Sequence, residues 1–152
     1  MSQGLSNVTL VCIEFQQYEL AHRALETTLR LLPPVKEVLV ISDKDFYPGS
    51  RWVEHAPTKS FREYNQLMLK GVAPYVAQGH AMYVQSDSMV HQSNHWLDEF
   101  VDYDYIGAPW PNEPEGRNIG NGGFSLRSAR FLQACLDTEI QLLEKYQYLQ
   151  ED

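Results

Sequence analysis

Apolar residues along the chain alternate between short continuous runs and helical stripes, which predicts strands interleaved with helices. The first stripe ends at Pro33-Pro34, because proline stops a helix. We predict strands at 8–13, 38–41, 52–55, 80–84 and 103–108, and helices at 18–32, 60–76 (divided at Pro74), 92–100 and from about 128 to 148. This order predicts a single α/β domain, residues 1–152, with a mostly parallel twisted sheet flanked by helices.

Charge and hydropathy exclude several classes of function. The chain has 152 residues, with 12 basic and 20 acidic side chains and a net charge of −8, so nucleic acid is not an expected partner. No apolar run approaches the ~20 residues that span a bilayer, and no basic segment marks a signal peptide. Cys12 and Cys135 lie in apolar segments and are expected to be free thiols, which favours a cytoplasmic protein.

Polar residues follow the predicted strands at the edge where open α/β sheets bind ligands. Glu14 follows the first strand, Asp43 the second and Gln85 to Ser88 the third. A carboxylate at Asp87 would lie at the rim of a cleft, where Mg²⁺ or Mn²⁺ takes one or two carboxylates together with phosphate oxygens and water. The alternative is an aspartate that caps the following turn.

Two further segments are candidates for binding an anion. The glycine-rich stretch 118–127 allows close approach to the backbone and is predicted to lead into a helix N-terminus that favours negative charge. A tight structural turn explains the same composition. Arg62 near the start of helix 60–76, which Ser60 and Glu63 are expected to cap, could bind a phosphate or could be a solvated surface arginine.

Four blocks of the sequence resemble a family of largely uncharacterised glycosyltransferase-like domains with the GT-A fold. The similarity extends over about residues 60–130 and is weaker toward the N-terminus. The blocks occur in the same order as in that family: Met82–Ser88, Trp96–Phe100, Tyr103–Trp110 and Gly120–Ser128. The resemblance implies a GT-A-like, Rossmann-like sheet and a transferase that uses a nucleotide diphosphate sugar.

The resemblance also assigns roles to individual residues. GT-A enzymes carry an Asp-x-Asp motif after a central strand, and here Gln85-Ser86-Asp87 occupies that place with a single carboxylate. Asp87 is therefore the implied ligand of Mn²⁺ or Mg²⁺, and Gln85 the implied contact to ribose or donor sugar. The other implied donor-binding residues are Asp43 (base or ribose), Arg62 and Asn65 (diphosphate), and Gly122 and Gly123 (donor and acceptor sugars).

The implied general base comes from the last two residues. In this family a Glu-Asp pair follows the glycine-rich block after a helix, so Glu151 or Asp152 would deprotonate the acceptor hydroxyl in an inverting reaction. A frayed acidic tail is the alternative. Because the family usually continues further, the chain is interpreted as a truncated form, a minimal core or an inactive protein.

The resulting hypothesis is a metal-assisted glycosyltransferase that moves a sugar from a nucleotide diphosphate sugar to a carbohydrate or other hydroxyl acceptor. A catalytically inactive sugar- or nucleotide-binding module is the alternative. A nucleotidyltransferase is disfavoured, because residues 14–17 lack a glycine-rich phosphate loop. A truncated sheet would expose an edge strand and favour a homo-oligomer.

Overall fold

The structure is a computed structural model that describes residues 5–92 and 95–139. In these residues the chain folds into a six-stranded sheet flanked by three α-helices. The strands are β1 (Val8–Ile13), β2 (Glu37–Ser42), β3 (Arg51–Glu54), β4 (His80–Tyr83), β5 (Tyr105–Gly107) and β6 (Ser125–Ser128). The helices are α1 (Tyr18–Leu31), α2 (Phe61–Lys70) and α3 (Ala129–Asp137), with short 3-10 helices at Ala73–Tyr75 and Asp98–Asp102.

The order of the strands creates a crevice between β1 and β4. The sheet runs β3-β2-β1-β4-β6-β5, with β1 to β4 parallel and β6 antiparallel to both of its neighbours. The chain proceeds outward from β1 to β3 and then returns to the other side of β1 as β4. Ligands of open α/β sheets bind at such a reversal, beyond the carboxyl ends of the strands. Because β6 is reversed, the segment that precedes it reaches this same edge.

Helices cover both faces of the sheet, which is why the central strands β1 and β4 are buried and mostly apolar. Every residue of β1 is buried. The core between the sheet and α1 includes Leu10, Cys12, Ala24, Leu25 and Met82. The core between the sheet and helices α2 and α3 includes Val11, Ile13, Met68, Tyr83 and Leu132. None of the helices in the described ranges is long and apolar enough to cross a bilayer.

Most predicted elements are confirmed, including the division of helix 60–76, which ends at Lys70 before a 3-10 turn that contains Pro74. The helix predicted at 92–100 is wrong. Leu97 has extended backbone angles (φ −115°, ψ 131°), and only a 3-10 helix follows it. The helix predicted from about 128 to 148 begins after Ser128, and α3 ends at Asp137. Residues 140–148 of that prediction lie outside the described ranges.

The glycine-rich segment 118–127 leads into α3 as predicted, but β6 separates its glycines from the N-terminus of the helix. Residues Ser125–Ser128 pair with β4 and β5, and all four are buried. Ser128 is the N-cap of α3 and accepts a hydrogen bond from Phe131 N–H at 3.0 Å. The N-terminal N–H groups of α3 therefore lie one strand length away from the glycines.

Candidate functional site

Two adjoining clefts lie at the carboxyl edge of the sheet, on the side of α2. One, of about 420 Å³, is lined by α2, Gln85, Trp110, the glycine segment and Arg127. The other, of about 430 Å³, is lined by Glu14 to Gln16 and by residues 57–61. Tyr64 and Phe61 line both clefts. We refer to the first as the glycine cleft and to the second as the strand-1 cleft.

Tyr64, in the wall that the two clefts share, is hydrogen-bonded to Gln85, which lines the glycine cleft. Gln85 Nε2 donates to the Tyr64 hydroxyl at 2.8 Å, and that hydroxyl donates to the carbonyl of Ile13 at 3.4 Å. Burial raises the pKa of Tyr64 to about 12, and the carboxylates of Glu14 and Asp87 add to this shift. Tyr64 is therefore a neutral donor and acceptor at physiological pH, and it does not serve as a base.

A tight turn after β4 places Asp87 at the edge of the site. Ser88 N–H donates to the Gln85 carbonyl at 3.1 Å, and Gln85 N–H donates to Ser88 Oγ at 2.8 Å. Ser88 Oγ in turn donates to the carbonyl of Gly123 at 3.0 Å, so the turn is attached to the glycine segment. Asp87 is exposed at the tip of this turn, and no hydrogen bond or ion pair within the described residues involves its carboxylate.

The cap predicted as the alternative role of Asp87 is therefore provided by Ser88. The position fits one ligand of a hard cation, because the carboxylate is exposed and unpaired among the described residues. It does not amount to a complete metal site: within 5–92 and 95–139, no group of three or more His, Cys, Asp or Glu side chains could hold an ion. Such a cation would need phosphate oxygens and water as its remaining ligands.

Gly122 and Gly123 are glycines because neighbouring side chains occupy the space that a Cβ would need. A Cβ on Gly122 would lie 2.6 Å from Arg127 Nη2, and one on Gly123 would lie 2.5 Å from Gln85 Oε1. Asn121 fixes the turn by accepting from Gly123 N–H at 3.2 Å through Oδ1, and from the Tyr105 hydroxyl at 2.8 Å through its carbonyl. The tight structural turn left open by the sequence is therefore present, and it also lines the glycine cleft.

Arg127, a residue to which the sequence assigned no role, is the most buried charged group of the site. Its guanidinium donates to the carbonyls of Met68 at 2.7 Å and Gly122 at 3.4 Å, and to Ser125 Oγ at 3.1 Å. It also lies over the ring of Tyr83, 3.9 Å from the centroid. The sequence analysis placed Arg127 in the glycine-rich stretch 118–127 and did not predict the four-residue strand that buries it.

Asp43 lies just beyond β2, as predicted, and its carboxylate already has a partner. Oδ1 accepts from the Tyr18 hydroxyl at 2.7 Å, and this bond raises the pKa of Tyr18 to about 12. Lys44 Nζ lies 4.7 Å from the centre of the Tyr18 ring. Asp43 is thus held in a fixed orientation near the carboxyl end of β1.

The two site residues predicted on α2, Arg62 and Asn65, lie in different surroundings. Ser60 caps the helix by accepting from Glu63 N–H at 3.2 Å, while Glu63 Oε2 accepts from Lys59 N–H at 2.7 Å. This confirms the expected cap. Asn65 lines the glycine cleft, whereas Arg62, one turn earlier, is exposed at the start of the helix and lines neither cleft.

Glu14 occupies the place where a phosphate-binding loop would lie after β1. Its Oε1 accepts from the N–H groups of Phe15, Gln16 and Gln17 at 3.0, 2.9 and 3.0 Å. A carboxylate of the chain itself therefore fills the anion position before α1. This arrangement supports the sequence argument against a nucleotidyltransferase.

The two predicted catalytic carboxylates, Glu151 and Asp152, lie outside the residues that the structure describes. Their role as general base stays a prediction. Of the other predicted site residues, Asn65, Gln85, Gly122 and Gly123 line one cleft, whereas Asp43, Arg62 and Asp87 line neither.

Comparison with known proteins identifies a family for the part of the chain that builds this site. No curated protein matches the chain. Residues 50–152 match the family described as "Protein of unknown function (DUF5672)". The match covers more than half of the chain, including α2, the turn at Asp87 and the glycine segment. The chain therefore belongs to the DUF5672 family.

Proposed function

We propose that this domain binds a nucleotide diphosphate sugar in the two adjoining clefts and transfers the sugar to a hydroxyl acceptor. The observation that carries the proposal is that Gln85 and the glycine segment line one cleft at the reversal of strand order between β1 and β4, and that the turn with Asp87 is hydrogen-bonded to this segment through Ser88. Open α/β sheets bind nucleotides at this place. The resemblance to GT-A domains, which rests on the same segments, supports sugar transfer as the reaction.

The residues present suit an elongated ligand with a flat group and a polar group. Phe61 is 55% exposed between the two clefts and offers a face on which a sugar or base could stack. Gln85, Asn65 and the backbone of the glycine segment would hold the sugar hydroxyls. Asp43 would meet the nucleoside at the carboxyl end of β2.

Transfer needs the diphosphate to be held while the acceptor hydroxyl attacks the anomeric carbon. Asp87 would hold a Mn²⁺ or Mg²⁺ together with phosphate oxygens, and such a cation would offset charge on the leaving group. Arg62, exposed one turn before Asn65, would approach the diphosphate from outside the cleft. A carboxylate of the pair Glu151 and Asp152 would accept the acceptor proton, with inversion as the expected outcome.

Calorimetry of a nucleoside diphosphate sugar in the presence of Mn²⁺ tests the role of Asp87. We expect Asp87→Ala to weaken binding by at least about tenfold, since a charge-assisted contact contributes about 1.5–3 kcal/mol. Asp102→Ala is the matched control, because Asp102 is also exposed but precedes β5 at the opposite end of the sheet. Equal affinity of the two variants would contradict the assignment.

A binding module without turnover is the second candidate, and the use of the Gln85 amide by Tyr64 favours it. Glutamine leaves one carboxylate where the GT-A motif has two. Slow hydrolysis of the donor in the presence of Mn²⁺ separates the candidates. An enzyme releases free sugar in proportion to protein concentration, whereas a binding module releases none above the protein-free control.

A further inference from the structure

Arg127 brings a buried positive charge to the glycine cleft. Arg127 is only 3% exposed, and among the described residues that line this cleft it is the one with a charge. In the part of the chain that the structure describes, the ion pairs are Arg51 with Glu37 and Arg130 with Asp104. Arg127 thus has no carboxylate partner there.

The contacts of Arg127 compensate its burial only in part. Met68, whose carbonyl accepts from Nη1, lies in the last turn of α2, where the helix dipole favours a cation. The ring of Tyr83 adds a cation–π contact. A guanidinium has five N–H donors. Three of them reach Met68, Gly122 and Ser125, and the side chain also forms a hydrogen bond with Tyr83, so no more than one N–H is left for another partner.

The weakest of these bonds faces the cleft. Nη2 lies 3.4 Å from the Gly122 carbonyl, longer than a normal N–H···O bond of 2.7–3.2 Å. A carboxylate or phosphate oxygen would make a shorter, charge-assisted bond to the same nitrogen. Because Gly122 has no side chain, no Cβ lies against this nitrogen, whereas an added Cβ there would lie 2.6 Å from it.

We propose that the glycine cleft is specific for a ligand that carries an anionic group, a carboxylate or a phosphate, and that Arg127 binds this group through Nη2. The inference rests on the proposed function only for the identity of the whole ligand, because an anion site would exist in a transferase and in a binding module alike. It restricts the substrates to acidic sugars or to donors whose phosphate enters the glycine cleft.

The test uses inorganic pyrophosphate and glucuronate as separate probes, in calorimetry with a chelator present so that no metal contributes. Wild-type protein is expected to bind at least one probe, and Arg127→Gln is expected to bind it at least about tenfold more weakly. Arg130→Gln is the control, because Arg130 pairs with Asp104 on the surface. Binding of pyrophosphate alone identifies a phosphate site, and binding of glucuronate alone identifies a carboxylate site.

A second variant keeps the test decisive if Arg127→Gln does not fold. Gly122→Ala retains the arginine but places a methyl group against Nη2, and the same loss of probe binding is expected. Failure of the wild type to bind either probe would overturn the proposal, as would unchanged affinity in Gly122→Ala or in folded Arg127→Gln. None of these measurements depends on sugar transfer, so the proposed function could fail while the anion site stands.

Discussion

Gln85 donates to the Tyr64 hydroxyl at 2.8 Å, and this bond joins the end of β4 to α2 across the wall that both clefts share. The Tyr64 hydroxyl in turn donates a hydrogen bond to the Ile13 carbonyl at the end of β1. The two strands at the reversal of strand order are thereby connected through side chains of one helix and one turn.

Replacing Gln85 by leucine removes this connection at nearly constant volume. We expect Gln85→Leu to lower the free energy of unfolding by about 1–2 kcal/mol, because a half-buried hydrogen bond is lost and the Tyr64 hydroxyl keeps only a weak acceptor. Urea denaturation measures the change. Gln66→Leu, at an exposed position of α2, the helix that carries Tyr64, is the control. A loss no larger than that of the control would contradict the structural role of the bond.

Glu14 is expected to be important for stability through its carboxylate. Glu14→Ala leaves three N–H groups before α1 without their acceptor, so the free energy of unfolding should fall by about 1–2 kcal/mol. Glu19→Ala, in the exposed first turn of the same helix, should cost about 0.5 kcal/mol or less. Thermal unfolding of the two variants compares them, and equal melting temperatures would refute the stabilising role of these three hydrogen bonds.

Gly49 and Gly79 both have left-handed backbone angles. Comparing alanine variants at the two positions separates the cost of conformational strain from the cost of steric overlap. Gly49 (φ +91°) has open space around its Cα, whereas a Cβ on Gly79 (φ +76°) would overlap the Asn7 carbonyl that accepts from His80 N–H. Gly49→Ala should cost about 1 kcal/mol for the backbone angle alone. Gly79→Ala should cost at least about 2 kcal/mol more, because the backbone at the start of β4 must shift. Chemical denaturation of both variants tests the difference, which would be absent if Asn7 could move freely.

The pairing of Asp104 with Arg130 should make stability depend on acidic pH. The Arg130 guanidinium and the Ser128 hydroxyl, which donates at 2.6 Å, hold the pKa of Asp104 below its ordinary value of 3.8. A depressed pKa stabilises the fold above the unfolded-state value, and this contribution disappears as the pH falls through the folded-state value.

We therefore expect Asp104→Asn to be less stable than wild type at neutral pH and to lose less stability on acidification. Unfolding midpoints measured from about pH 6 to about pH 2 provide the comparison. Asp102→Asn, at an exposed neighbouring position, should follow the wild-type curve. Parallel curves for wild type and Asp104→Asn would rule out the contribution of this carboxylate.

The parallel half of the sheet was predictable because its strands carry an unbroken signal. Val8–Ile13 is buried on both faces, and such a strand reads as a continuous apolar run. The helix cap at Ser60 and Glu63 was equally legible, because capping depends on neighbours three residues apart.

Strand β6, which is antiparallel to its neighbours, could not be predicted in the same way. Ser125–Ser128 is a four-residue strand with polar side chains, and its pairing with β4 depends on a segment more than forty residues earlier. Arg127 is tolerated there because the end of α2 offers it the Met68 carbonyl, a contact 59 residues away along the chain. Local patterns contain no trace of such a partner.

The contact between position 85 and position 123 has an evolutionary consequence. A side chain at Gly123 would collide with the amide oxygen of Gln85, 2.5 Å from the new carbon. A relative that carries a shorter residue such as aspartate at position 85 would have room for alanine at position 123, whereas one that retains glutamine would not. The residues at the two positions are therefore expected to vary together among relatives, with a side chain at position 123 only where position 85 is shorter than glutamine.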